Sequence, residues 1–198
     1  MATAFRVSTD FQERAASRGI SITLPTPTIG AEIAGIDLNL PLKNADVEII
    51  REAWLTRKVI FFRDQDISYE SHLRLGRLFG ELEGHPVLPH VEGHPQILII
   101  RGVEGVKLTE ESLIPFKAAN KWHTDVTFRE RPSIASILRA RLLPPLGGDT
   151  IWSDAAAAYE GLPIAVKERI ENLDAEHDIV RSFGGRVTEE KRAQLARG

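Results

Sequence analysis

Apolar positions fall in short bursts along this chain, and the spacing within each burst changes from one end to the other. Near the start, Ile20, Ile22 and Leu24 alternate with polar residues, and a second stretch runs from Ile29 to Leu38 with breaks at Gly30 and Gly35. A period of two predicts short strands there. From Asn44 the spacing lengthens. Val47, Ile50 and Trp54 share one face of a helix expected to reach about Lys58. Asn44 is its expected cap, with Asp46 and Glu48 in the first turn and Arg57 and Lys58 in the last, which suits the helix dipole. Val59-Ile60-Phe61-Phe62 reads as a buried strand. Ser68 then caps a second helix carrying Leu75, Leu78 and Phe79, with Gly80 placed to end it. Residues 1–19 lack such a pattern and are expected to form an arm, leaving a partial domain over residues 20–198.

The middle of the chain changes character. Gly84 to Gly93 is a loop of Pro, Gly and His, and Ile97–Ile100 is a short buried strand. Gly102 to Asn120 is a long polar stretch without periodicity, the kind of loop that usually carries function or mobility. Trp122–Phe128, Ser133–Leu142 and Asp149–Ser153 read as strands, the last two separated by a turn at Pro144–Gly148. Ala155–Tyr159 and Pro163–Asn172 read as helices, and Pro163 suits a first helical turn. Helices early and strands crowded in the middle predict an α+β fold with a β core.

Composition narrows the chemistry. The chain has 198 residues, and 25 Lys and Arg stand against 28 Asp and Glu, a net charge of −3. That length fits one domain, and there is no basic excess to hold nucleic acid or anionic lipid. No apolar run approaches the roughly 20 residues that span a bilayer. Charges at Arg6, Asp10, Glu13, Arg14 and Arg18 leave no apolar core for a secretory signal. A cytoplasmic protein with a small-molecule partner is expected. The absence of cysteine excludes a disulfide scaffold, a thiolate zinc site, an iron–sulfur cluster and a Cys nucleophile. Any metal must be held by His, Asp or Glu.

Two such residues stand together in Trp122-His123-Thr124-Asp125. In a strand, residues i and i+2 project to the same face about 6.7 Å apart. An imidazole and a carboxylate so placed can close on a single ion, as two members of the 2-His-1-carboxylate facial triad of non-haem iron oxygenases. Taken alone, the pair is more often what a solvated strand face carries. Gly147-Gly148-Asp149-Thr150-Ile151-Trp152 reads first as a turn entering a strand. Its Thr150 hydroxyl could also donate to a carboxylate, with the Arg139/Arg141 pair as the cationic partner or simply as solvated arginines. His90 and His94 have helical ligand spacing, but Pro89, Gly93 and Pro95 argue against a helix. His72 and His177 read as ordinary histidines. Neither a Gly-x-Ser-x-Gly elbow nor a phosphate-binding Gly-x-x-x-x-Gly-Lys loop occurs.

The order of these pieces is more specific than any one of them. Ile29-Gly30-Ala31-Glu32-Ile33-Ala34-Gly35-Ile36-Asp37-Leu38, Lys58-Val59-Ile60-Phe61-Phe62-Arg63-Asp64-Gln65 and Phe79-Gly80-Glu81-Leu82 come first. His85-Pro86-Val87, Trp122 to Phe128 and Gly147 to Trp152 follow. Together they resemble the amino-terminal half of the taurine dioxygenase family, the Fe(II)- and 2-oxoglutarate-dependent oxygenases of the taurine, alkylsulfate and aryloxyalkanoate group. The resemblance covers about residues 20 to 190. It implies a double-stranded β-helix, or jelly roll, flanked by helices.

The resemblance also implies roles. His123 and Asp125 match the first two iron ligands, and Thr150 matches the residue that hydrogen-bonds the distal carboxylate of 2-oxoglutarate. Asn120 stands where alkylsulfate-type members carry an Asn near co-substrate and substrate. His85, Val126, Ser182 and Phe183 match substrate-side positions. Leu88 replaces a Tyr that contacts the sulfonate in taurine enzymes, which implies a more apolar pocket and a larger sulfonate or an alkyl sulfate ester. With Fe(II), 2-oxoglutarate and O2, the expected reaction hydroxylates the carbon next to the sulfo group. The product collapses to an aldehyde and sulfite or sulfate, alongside succinate and CO2. The full-length form is expected to be a homo-oligomer.

In that family the third iron ligand, a His, and the Arg that pairs with 2-oxoglutarate lie far downstream. Only Val126 to Gly198 follow Asp125 here, and His177 is the one histidine among them. The expectation is therefore a truncated domain, inactive as it stands, with exposed sheet edges. The competing expectations are a non-catalytic binding or structural protein of the same fold, and an enzyme acting on an aryloxyalkanoate or other carboxylate.

Overall fold

A computed structural model describes residues 8–84, 90–100 and 122–178. The early elements are α1 (Thr9–Ala16), β1 (Ser21–Thr23), β2 (Ala31–Ala34), α2 (Asn44–Arg57), β3 (Ile60–Phe61) and α3 (Tyr69–Arg77). They are followed by β4 (His90–Val91), β5 (His94–Leu98), α4 (Ala155–Glu160) and α5 (Ile164–Ile170). The chain divides into two units. One holds residues 8–83 and 143–168, the other residues 84, 90–100, 122–142 and 169–178 among those described.

In the first unit, β1 and β2 pair antiparallel, with Ile22 opposite Ile33, and β2 and β3 pair parallel, with Ala31 opposite Ile60. Parallel neighbours need a crossover, and α2 supplies it. Its buried face is Ile49, Ile50, Ala53 and Arg57. Phe11, Ala15, Ile20 and Ile33 complete that core, and Ile36, Leu42, Phe62 and Phe79 pack both on it and on a second group of Leu38, Ile67 and Leu75.

Residues 9–16, expected within an arm, are instead a helix. Ser8 Oγ accepts from Phe11 N at 3.1 Å, and Phe11 and Ala15 are each 1% exposed. Two burials four residues apart decide it; the polar residues between them hid the pattern. Ser68 caps α3 as expected, accepting from Ser71 N at 3.1 Å. Asn44 is the first helical residue of α2, and the cap position falls to Lys43 without a side-chain bond. α3 ends at Arg77 with Leu78 as its C-cap, so the position after the cap is Phe79 and not the expected Gly80.

Arg57 is fully buried on α2. Its guanidinium donates to the carbonyls of Thr26, Pro27 and Gly30 at 2.7, 3.2 and 3.1 Å, so it fastens the loop entering β2. Burial pulls its pKa below the ordinary value. Gly35, after β2, has φ 88, and a Cβ there would stand 2.0 Å from the Gly19 carbonyl oxygen. Only glycine fits.

The second unit contains the β4–β5 hairpin, with Val91 opposite His94. His90 and His94 thus lie on a hairpin and not a helix. Here the strand expectations fail: among the described residues, none from 122 to 142 is in a strand, and 149–153 in the first unit are not either. Alternation marks which face a strand would bury, but a ladder also needs a neighbour to take its N–H and C=O groups. α4 and α5 form where expected. The Asp154 carboxylate caps α4, accepting from Ala156 N and Ala157 N at 3.0 and 3.1 Å. No helix of the described residues is long and apolar enough to cross a membrane.

Candidate metal centre

His123 and Asp125 stand at the entry to a turn. Residues 125–128 turn, and Arg129 N donates to Val126 O at 3.1 Å to close it. Val126 takes φ 48, a left-handed conformation that is costly for a β-branched residue. The turn still achieves what a strand was expected to do. His123 Nε2 lies 3.4 Å from Asp125 Oδ1, and the two side chains are 54% and 61% exposed.

That separation can be tested against an ion. Donors about 2.1 Å from one metal are about 3.0 Å apart at a right angle and about 3.4 Å apart at a tetrahedral angle. The separation of the two donors lies in the range that one ion would set, and equally in that of a direct His–Asp pair. Among the described residues, no group of three His, Asp or Glu is placed to hold a metal.

Two further side chains touch this turn. Ser136 Oγ donates to Asp125 Oδ2 at 3.0 Å. His177 Nδ1 and Thr127 Oγ1 share a hydrogen bond of 2.9 Å across 50 residues of sequence. Neither contact is readable from the sequence: Ser136 sits in an alternating apolar stretch, and His177 resembles any charged-segment histidine. Arg129 is buried at the end of the turn, among neighbours that are largely exposed.

Thr150 belongs to the other unit, where its residue is exposed. Gly147 and Gly148, at φ 74 and 75, make the expected turn just before it. Trp152 packs edge-on against Phe61 with ring centroids 5.3 Å apart, anchoring the segment beside β3. Arg139 is half-buried and Arg141 exposed. His85, Leu88, Asn120, Ser182 and Phe183 lie outside the described residues.

The profile of the taurine catabolism dioxygenase TauD, TfdA family matches residues 21–197. The chain belongs to that family. Within it, an alpha-ketoglutarate-dependent sulfate ester dioxygenase from Pseudomonas putida is 42% identical over 150 residues, 75% of this chain and 46% of the relative. An alkylsulfatase from Acinetobacter baylyi is 36% identical over 173 residues, 87% of this chain and 51% of the relative. Among solved structures, AAD-2 in complex with Mn(II) and N-oxalylglycine superposes with a TM-score of 0.70 at 27% identity. That match covers 88% of this chain and 62% of the other. The TauD, TfdA family match spans nearly the whole chain, whereas the chain spans about half the length of the two curated relatives.

Proposed function

We propose that this chain carries the first two iron ligands, His123 and Asp125, of a 2-oxoglutarate-dependent dioxygenase acting on an alkyl sulfate ester or a small organosulfonate. The observation that carries the reading is the His123–Asp125 pair at 3.4 Å, in a chain 42% identical to a sulfate ester dioxygenase. The family resemblance supports a jelly roll for the domain.

When bound, iron with 2-oxoglutarate and O2 supplies the oxidising chemistry, the co-substrate leaving as succinate and CO2. The chain's residues hold and aim. His123 and Asp125 would hold the ion. The family resemblance assigns the Thr150 hydroxyl to the distal carboxylate of 2-oxoglutarate and Asn120 to the same co-substrate. The family resemblance assigns His85 to the sulfo group and Leu88, Val126, Ser182 and Phe183 to the substrate. Leu88 offers no hydroxyl, which favours a longer alkyl chain over taurine. Hydroxylation at the carbon bearing the sulfo group yields an aldehyde and sulfate from an ester, or sulfite from a sulfonate.

Succinate formation from 2-oxoglutarate with added Fe(II) tests this. The chain spans about half the length of the curated relatives, and turnover is therefore read from a chimera. A chimera that appends the remaining length of the Pseudomonas putida relative is expected to turn over, with alkyl sulfates the strongest stimulators. Stimulation by aryloxyacetates instead would move the substrate to that class. Robust turnover by the chimera without stimulation by any sulfo compound would overturn the sulfate and sulfonate assignment.

A further inference from the structure

The two oxygens of the Asp125 carboxylate have different neighbours. Oδ1 faces His123 Nε2 at 3.4 Å, and Oδ2 accepts the Ser136 hydroxyl at 3.0 Å. A carboxylate is only an acceptor and a serine hydroxyl has one hydrogen to give, so the direction of this bond is fixed. It is a charge-assisted bond, stronger than a neutral one.

Its consequence is selective. An exposed carboxylate free to rotate offers either oxygen to an ion, or both. With Oδ2 engaged by Ser136, Oδ1 is the oxygen left beside the imidazole. We propose that Ser136 is a positioning residue of the metal centre, holding Asp125 so that Oδ1 and His123 Nε2 meet one ion. The inference rests on the metal reading above and adds to it a residue eleven positions downstream. Groups that hydrogen-bond a metal's ligands orient those ligands and tune the affinity.

The bland alternative is that Ser136 merely pins its own segment to the turn. Equilibrium binding of Mn(II) or Co(II) to the 198-residue chain separates the two, with the Co(II) absorption spectrum as a second readout. Ser136→Ala is expected to weaken metal binding about tenfold, the lower end for such partners, because the pair is exposed. Its melting temperature should stay at the wild-type value. Ser136→Thr keeps the hydroxyl and should retain both the affinity and the Co(II) spectrum. In an Asp125→Ala background, adding Ser136→Ala should change nothing further.

Several results would overturn the proposal. One is Ser136→Ala binding metal as tightly as the wild type. Others are an equal loss in Ser136→Thr, or a further loss in the Asp125→Ala background. If the wild-type chain takes up neither metal, the metal reading itself falls and the proposal falls with it.

Discussion

Residues 8–83 put most of their apolar side chains inside, whereas residues 122–142 carry most of theirs outside. Ile33, Ile49 and Ile50 are at most 2% exposed, while Ile134, Leu138 and Leu142 are 64–82% exposed. The first region holds a partner for every element: α2 bridges β2 and β3, and α1 closes over them. The second has the alternation of a strand and, among the described residues, no ladder. The difference separates scaffold from chemistry. The candidate ligands sit in the region whose pattern asks for neighbours, and the region that is already packed holds none of them.

The contrast can be broken by mutation. Phe11→Ala removes a ring from the packed core and should cost about 3–5 kcal/mol, read as a lower urea midpoint. Arg57→Met leaves the Thr26, Pro27 and Gly30 carbonyls without their charged donor and should cost about 2–4 kcal/mol. A loss as small as that of a surface substitution would show that the loop before β2 is held by something else. Leu142→Ser should change stability by no more than about 0.5 kcal/mol. A cost near that of Phe11→Ala would mean that Leu142 is buried in solution and would erase the comparison.

The smallest effect is a pH dependence within the packed region. The Arg18 guanidinium, 2.5 Å from Asp46 Oδ1, holds the Asp46 carboxyl below its ordinary value. A depressed carboxyl stabilises the fold above its unfolded pKa, about 4, and that contribution is lost as pH falls through the lower folded value. Asp46→Asn should therefore melt a few degrees lower at pH 7. The gap should close once the pH is low enough to protonate the wild-type carboxyl too. A gap that persists there would assign the effect to packing.

Local signals made the packed region readable. The Ser68 cap, the charge order along α2 and the alternation at Ile20–Leu24 each predict an element that forms within a residue or two. α1 escaped because Phe11 and Ala15 are too few to show a period. The site was legible only as residue types in order. His123 and Asp125 declared themselves by spacing, but the device that joins them is a turn with Val126 left-handed, which no β-branched residue announces. Ser136 and His177 reach that turn across the chain. Such contacts depend on backbone path and not on local pattern.

The crossover through α2 has a consequence in time. Among the described residues, every member of the two core groups lies before Gly84, about 40 residues ahead of His123 on the ribosome. At about 5–20 residues per second, synthesis takes roughly 2–8 s to cover that distance. Helix and hairpin formation are complete within microseconds. The amino-terminal core thus has time to close before the candidate ligands His123 and Asp125 emerge.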